Sequence, residues 1–214
     1  MITRVGLAPR ARGLSYEACA AHWRGVHADE ALGIPGLRAY TQNHPVLRDG
    51  RPLLPYPGFD VCAETQFDDV AAMDAAFASE HYRGSVRQDE KQLIDGARFR
   101  VAVCDRRVLA DGEPPEGAVK LMTFLTARDG REALAELLAG DYAEAAAEAA
   151  PLRHEQLIAS AAAHGAGRAP AAYDAVDTLW FATPEAALDA ALAPLSERAG
   201  WVLAGHTAGA ERLI

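Results

Sequence analysis

The sequence predicts an α+β fold made of two tandem ferredoxin-like (βαββαβ) units packed sheet to sheet. Three observations carry that prediction. The order strand, helix, strand, strand, helix, strand can be read twice along the chain. The third strands of the two passes superpose, Phe59-Asp60 on Tyr173-Asp174 and Phe67 on Phe181. Allowing one extra residue, Met73-Asp74 then falls on Leu188-Asp189, and an internal duplication explains the match. Finally, the strands of the first pass alternate, giving each an apolar face for helices and a polar face opposite. Residues 1–110 are therefore expected to form the first unit and residues 111–214 a degenerate second one.

Each element has its own justification. Ile2 to Ala8 is β-prone and meets Pro9, so it is the first strand. Ser15 suits an N-cap for a helix from Tyr16 to Val26. Cys19, Trp23 and Val26 recur there at i, i+4 and i+7 and define a buried stripe. His27 falls near that stripe. His22, five residues earlier, lies roughly 140° around a 3.6-residue helix and is expected to face elsewhere. Pro35-Gly36 breaks the helix, and Leu37 to Val46 is the second strand. Its apolar face holds Leu37, Ala39 and Thr41, and its polar face Arg38, Tyr40, Gln42 and His44. Arg48 to Gly58, rich in proline and glycine, reads as a long loop that walls or covers a pocket.

Phe59 to Phe67 is the third strand, with Phe59, Val61, Ala63 and Thr65 opposite Asp60, Cys62, Glu64 and Gln66. Asp68 or Asp69 caps a helix through Met73 and Phe77, Tyr82 to Ile94 is a second helical piece, and Arg98 to Cys104 closes the unit. Asp105 to Gly117 has the charge, proline and glycine of a linker. The second unit follows with strands Ala118 to Ala127, Leu152 to Ala161, Tyr173 to Phe181 and Trp201 to Thr207. Its helices are Asp129 to Ala149, interrupted at Gly140-Asp141, and one from Pro184 to Leu192. The first of these presents Leu134, Leu137 and Leu138 in place of histidines, so this unit is expected to be scaffold.

Half of the residues are hydrophobic and 24% charged, the proportions of a globular protein. A net charge of −9 and a pI near 5.2 argue against a nucleic acid as partner. Three cysteines, Cys19, Cys62 and Cys104, leave an odd thiol and no C-x-x-C pair, which favours a reducing compartment. The N-terminus lacks the apolar core of a signal peptide, and no apolar run is long enough to span a bilayer. The expectation is a soluble cytoplasmic protein without a membrane partner.

The segment HWRGVHA, followed by PGLRAYTQNH and then GFDVCAETQFDDVAAM, resembles an EthD domain of the dimeric α+β barrel superfamily over roughly residues 2 to 105. The resemblance implies that two ferredoxin-like sheets face each other as a barrel, here within one chain. It also implies kinship with small cofactor-free oxygenases, cyclases, decarboxylases and lactone isomerases acting on hydrophobic, often aromatic molecules, or with proteins in an accessory role.

The candidate catalytic residues are His27, His22 and Tyr40. Imidazoles exchange protons near neutrality, so a histidine pair suits general acid–base work; their plain alternative is to brace the junction before Asp29. Tyr40, Gln42, Asp60, Cys62, Glu64 and Arg100 alternate onto one sheet face that either binds a carbonyl or phenol or simply pairs charges between sheets. Thr41 and Asn43 are read onto the helix side with His27, where Asn43 would orient a ligand. The substrate-binding set is thus Trp23, Gln42, Asn43, Asp60 and Cys62. Cys62 has no readable base beside it. RHEQLI has Ile158 where H-E-x-x-H needs its second histidine, HGAGR lacks phosphate-loop spacing, and no dinucleotide or haem motif occurs, so neither metal nor cofactor is expected. The leading expectation is a cofactor-independent enzyme of small hydrophobic carbonyl or phenolic molecules. The alternatives are a non-catalytic binding or accessory protein and an oligomerisation module, with a homodimer as a further expectation.

Overall fold

The computed structural model describes residues 1–214 except 55, 128, 129, 166, 193–200, 209, 210, 213 and 214, with backbone alone at 192, 201–208, 211 and 212. The chain opens with β1 (Ile2–Ala8), helix α1 (Tyr16–His22), a π-turn (Trp23–His27) and α2 (Ala28–Leu32). Then come β2 (Ala39–Gln42) and a small hairpin, β3 (Leu47–Arg48) and β4 (Arg51–Pro52), inside the segment expected to be loop. Its turn residues Asp49 and Gly50 both have positive φ, 53° and 74°, which an Asp-Gly pair adopts readily. The half is completed by β5 (Val61–Phe67), α3 (Val70–Ala78), a second π-turn (Tyr82–Val86), α4 (Arg87–Leu93) and β6 (Arg100–Asp111).

The other half repeats the plan: β7 (Val119–Ala127), α5 (Arg131–Ala139), α6 (Asp141–Glu148), β8 (Arg153–Ala159), α7 (Ala161–His164), β9 (Ala175–Phe181), α8 (Pro184–Leu192), β10 (Trp201–Ala208) and β11 (Glu211–Arg212). The predicted break at Gly140 separates α5 from α6. Asp129, the predicted helix start, lies outside the described residues. The turn expected across AHGAGRAP instead begins as α7, whose His164 accepts a hydrogen bond from Val103 N at 2.8 Å.

The strand order is β10-β7-β9-β8-β6-β1-β5-β2-β11. Each half shows the same internal order, fourth-first-third-second, and the halves join where β6 meets β8. At the other end β11, which follows β10, pairs with β2 through Glu211↔Gln42, so the row of strands closes on itself. The predicted linker is corrected here. Asp105 to Asp111 continue β6 as strand, because this stretch finds a partner in β8, from Cys104↔Ala159 to Asp111↔Arg153. Tertiary pairing overrides a loop-like composition.

The sheet has an inner and an outer face. Val5, Leu7, Cys62, Ala102, Cys104, Met122, Phe124, Leu157 and Val176, from both halves, pack together inside the ring. Helices cover the outside, over Phe67, Met73 and Val86 in one half and over Leu121, Leu125, Leu134, Leu138 and Leu179 in the other. The sequence duplication has a structural counterpart. Asp60 Oδ2 accepts from Arg10 N at 2.9 Å and the carboxylate pairs with the Arg10 guanidinium. Asp174 Oδ2 accepts from Ala127 N at 2.9 Å, and its other oxygen from Arg131 Nε at 2.8 Å. Both aspartates clamp the exit of their unit's first strand.

Candidate functional site

Ser15 caps α1, its Oγ accepting from Ala18 N at 3.1 Å. After His22 the helix widens into the π-turn, which inserts one residue into the helical count. The insertion overturns two expectations. Val26 leaves the buried stripe and is 57% exposed, while His27 takes the interior position at 8%. His22 and His27, which a regular helix would spread apart, converge instead. His22 Nε2 lies 2.6 Å from Asp89 Oδ1, and His27 Nδ1 lies 2.8 Å from Asp89 Oδ2. The helix runs on to Leu32, so neither histidine braces a helix–loop junction.

Asp89 carries no signal of its own in the sequence, yet it organises the site. It is buried on α4, directly after the second π-turn. The two π-turns share a His-aromatic-Arg-Gly pattern, His22-Trp23-Arg24-Gly25 and His81-Tyr82-Arg83-Gly84, and that repeat was the signal that could have paired these helices. A carboxylate accepts only, so each imidazole donates to it. With Nδ1–H committed to Asp89, a neutral His27 keeps its lone pair on Nε2, the atom free to take a proton.

The strand beside this helix is placed otherwise than its alternation suggests. Tyr40 pairs with Thr65 and Gln42 with Ala63, which puts Tyr40 and Gln42 on the helix-covered face. They do not share a face with Cys62 and Glu64. Two large polar residues point under the helix because a network satisfies them. Trp23 Nε1 donates to Tyr40 Oη at 3.0 Å, and Gln42 Nε2 donates to Tyr40 Oη at 3.1 Å and to Trp23 O at 2.7 Å. His44 Nε2 lies 2.9 Å from Gln42 Oε1, with its ring 4.4 Å from that of Trp23. Burial pushes the Tyr40 phenol up to about 12 and holds His44 down at about 3. Tyr40 therefore stays protonated, accepts two hydrogen bonds and has its own O–H left to donate.

Between this helix layer and the sheet lies a cavity of about 50 Å³, lined by His27, Trp23, Tyr40, Tyr82, Phe77 and Arg4 among others. His27, Tyr40 and Trp23 are thus brought together at one cavity, and His22 stands behind Asp89.

The remaining candidates lie elsewhere. Asn43, expected beside His27, turns to the inner face, where its Nδ2 donates to Glu64 Oε1 at 2.8 Å and to Cys62 O at 3.1 Å. Glu64 forms a buried ion pair with Lys120 of the other half. Cys62 packs against Met122 inside the ring, and burial raises its thiol pKa, so it is held as a thiol. Asp60 serves the Arg10 clamp and, with Asn43, lines a second cleft of about 250 Å³ under the proline-rich segment. Arg100 is exposed at the strand's start. No helix among the described residues is long and apolar enough to cross a membrane, and no group of three or more His, Cys, Asp or Glu among them is arranged to hold a metal.

Two units closing one ring of strands, with helices outside, define a dimeric α+β barrel fold built from a single chain. The chain is similar to an anthrone oxidase-like protein at 10% identity, covering 99% of this chain and 92% of that one, with a TM-score of 0.61. It is also similar to chlorite dismutase from Candidatus Nitrospira defluvii, at 10% identity over 96% and 90% of the two chains with a TM-score of 0.53. At such identities the likeness is one of fold. Residues 11–97 match the EthD domain model, and that stretch carries both histidines and Asp89. An EthD family protein from Bacillus halodurans is 19% identical over 49% of this chain and 97% of its own, with a TM-score of 0.39. Among curated proteins no relative matches.

Proposed function

We propose that this chain is an enzyme that moves a proton on a small hydrophobic carbonyl or phenolic molecule without a cofactor, with His27 Nε2 as the base. The observation that carries this reading is His27 itself: a buried imidazole at the edge of a cavity, oriented through Nδ1 by a buried carboxylate. A base whose other nitrogen is held in this way presents its lone pair in one direction and is ready to accept charge. Tyr40 would donate its O–H to the oxygen of the same molecule, polarising a carbonyl or holding an enolate. Asp89 would stabilise the imidazolium, and His22, whose side chain is 28% exposed, would connect that carboxylate to solvent. Trp23 supports Tyr40 rather than touching chemistry, and Gln42 fixes both. Residues 111–214 would serve as the partner sheet.

Proton exchange tests this reading without the natural substrate in hand. A panel of small aromatic and aliphatic ketones is incubated in deuterium oxide, and exchange of their α-protons is followed by nuclear magnetic resonance. Catalysed exchange that falls about 10²–10⁴-fold in His27→Ala is the expected result, the range for loss of a general base. Binding without exchange in both proteins would favour an accessory, ligand-holding role.

A further inference from the structure

The cavity beside His27 contains a cation that the proton-transfer reading does not use. Arg4 lies on the helix-covered face of β1, abreast of Thr65 on β5 and, one strand further, of Tyr40 on β2. Its guanidinium carbon sits 4.3 Å from the ring centroid of Phe77 and 5.3 Å from that of Phe99. A ring attracts the cation but offers its N–H groups no oxygen acceptor. Among the described residues, those groups have neither an ion-pair partner nor a hydrogen-bond acceptor. Burial lowers the Arg4 pKa, against the opposing pull of Tyr82 and Glu90.

The carboxylates of α4 are already engaged. Glu90 lines the cavity, but its oxygens take Tyr82 Oη at 3.1 and 3.3 Å and Arg87 Nη1 at 2.8 Å. Asp89 is shared by the two imidazoles. The strand makes room for the cation: a Cβ on Gly6 would stand 3.1 Å from Arg4 Nη1 and 3.3 Å from Phe99 Cζ. Arg4 is half-buried and its nitrogens are not sealed from solvent, so a ligand anion entering the cavity can reach its N–H groups in place of water and add to the distant pull of Glu90.

We propose that the cavity selects anionic molecules, seating a carboxylate or enolate head on the N–H edge of Arg4 while the attached carbons lie between Phe77 and His27. The proposal rests on reading this cavity as the ligand site and adds the charge of the ligand. A planar two-oxygen head fits a guanidinium edge bidentately. The free volume, about 50 Å³, holds that head and the first carbons; a ring as large as benzene needs about 150 Å³, so the rest of the molecule extends through the mouth.

The test is binding, separate from chemistry. Acetate, crotonate and benzoate are titrated against acetamide, crotonamide and benzamide at fixed ionic strength, with the His27 ring resonances and the melting temperature as readouts. Wild type is expected to prefer each acid to its amide at least about 10-fold, the step that 1.4 kcal/mol gives. The preference should vanish in Arg4→Gln, persist weakened in Arg4→Lys and survive His27→Gln. Should Arg4→Gln fail to fold, Gly6→Ala, which crowds Nη1, is expected to weaken the acids alone. Amides binding as well as acids in wild type, a preference that outlives Arg4→Gln, or no probe binding at all would each overturn the proposal. The base reading fails on a different result, ketone exchange that persists in His27→Ala, so the two failures are distinguishable.

Discussion

Asp89→Asn separates orientation from binding at the site. An amide has one acceptor oxygen for two imidazoles, so Nδ1–H of His27 is no longer held to a carboxylate and its tautomer is no longer fixed. Ketone exchange is expected to fall about 10–100-fold while probe affinity holds, the usual size of a lost orienting contact. His44 gives a second residue-scale expectation. Its folded pKa, about 3, is depressed below its ordinary 6.5 by burial and by Arg24. Between those values the unfolded chain binds a proton that the folded chain refuses, so this contribution to stability is full above about 6.5 and falls as pH drops. Urea melts at about pH 7.5 and about pH 5 should differ, and His44→Gln should flatten the difference by at least about 1.4 kcal/mol, the worth of one unit of titration. The histidines stood out as candidate proton carriers from residue type alone. Their shared partner did not, because Asp89 is one acid among 30 and only folding brings α4 against α1.

At the scale of elements, the existence of most helices and strands could be read from pattern, whereas their faces could not always be. A stripe counted at i, i+4, i+7 assumes an unbroken α-helix, and one inserted residue moves every later position by about 100°. That single step exchanged Val26 for His27. Deleting Val26 should restore a regular helix with the two histidines four apart, still on one side. Melting by circular dichroism is expected to show equal or higher stability, while exchange activity falls because the wide turn sets the imidazole's direction. The face of β2 was misread for a related reason. Alternation identifies two faces but not which one a helix will cover, and Tyr40 and Gln42 lie under the helix where Trp23 supplies both a donor and a carbonyl.

For the whole molecule, the duplication was visible as the Phe59-Asp60 and Tyr173-Asp174 match, and both aspartates perform the same clamp. The β6–β8 joint between the halves was not visible, since the partner of residues 105–111 lies nearly fifty positions away and their composition resembles a linker. The two halves are also tied by the buried pair Glu64–Lys120, with both side chains under one-tenth exposed. Lys120→Met alone strands a carboxylate inside the ring and should cost about 3–5 kcal/mol. Glu64→Leu combined with Lys120→Met should recover most of that loss, as measured by urea denaturation in a double-mutant cycle.

Joining the halves in one chain has an outcome that two identical subunits could not reach. In a symmetric pair, every substitution is written twice and both hollows must change together. Here the position in the second unit that corresponds to Tyr40 is His154, bonded to Asp177 Oδ1 at 2.7 Å, while Tyr142 donates to the other oxygen of the same aspartate at 3.2 Å. Gln156 still donates to Leu138 O, as Gln42 does to Trp23 O. A single chain is thus free to furnish its two sides differently: imidazoles beside a hollow on one, and a buried histidine–aspartate–tyrosine cluster on the other.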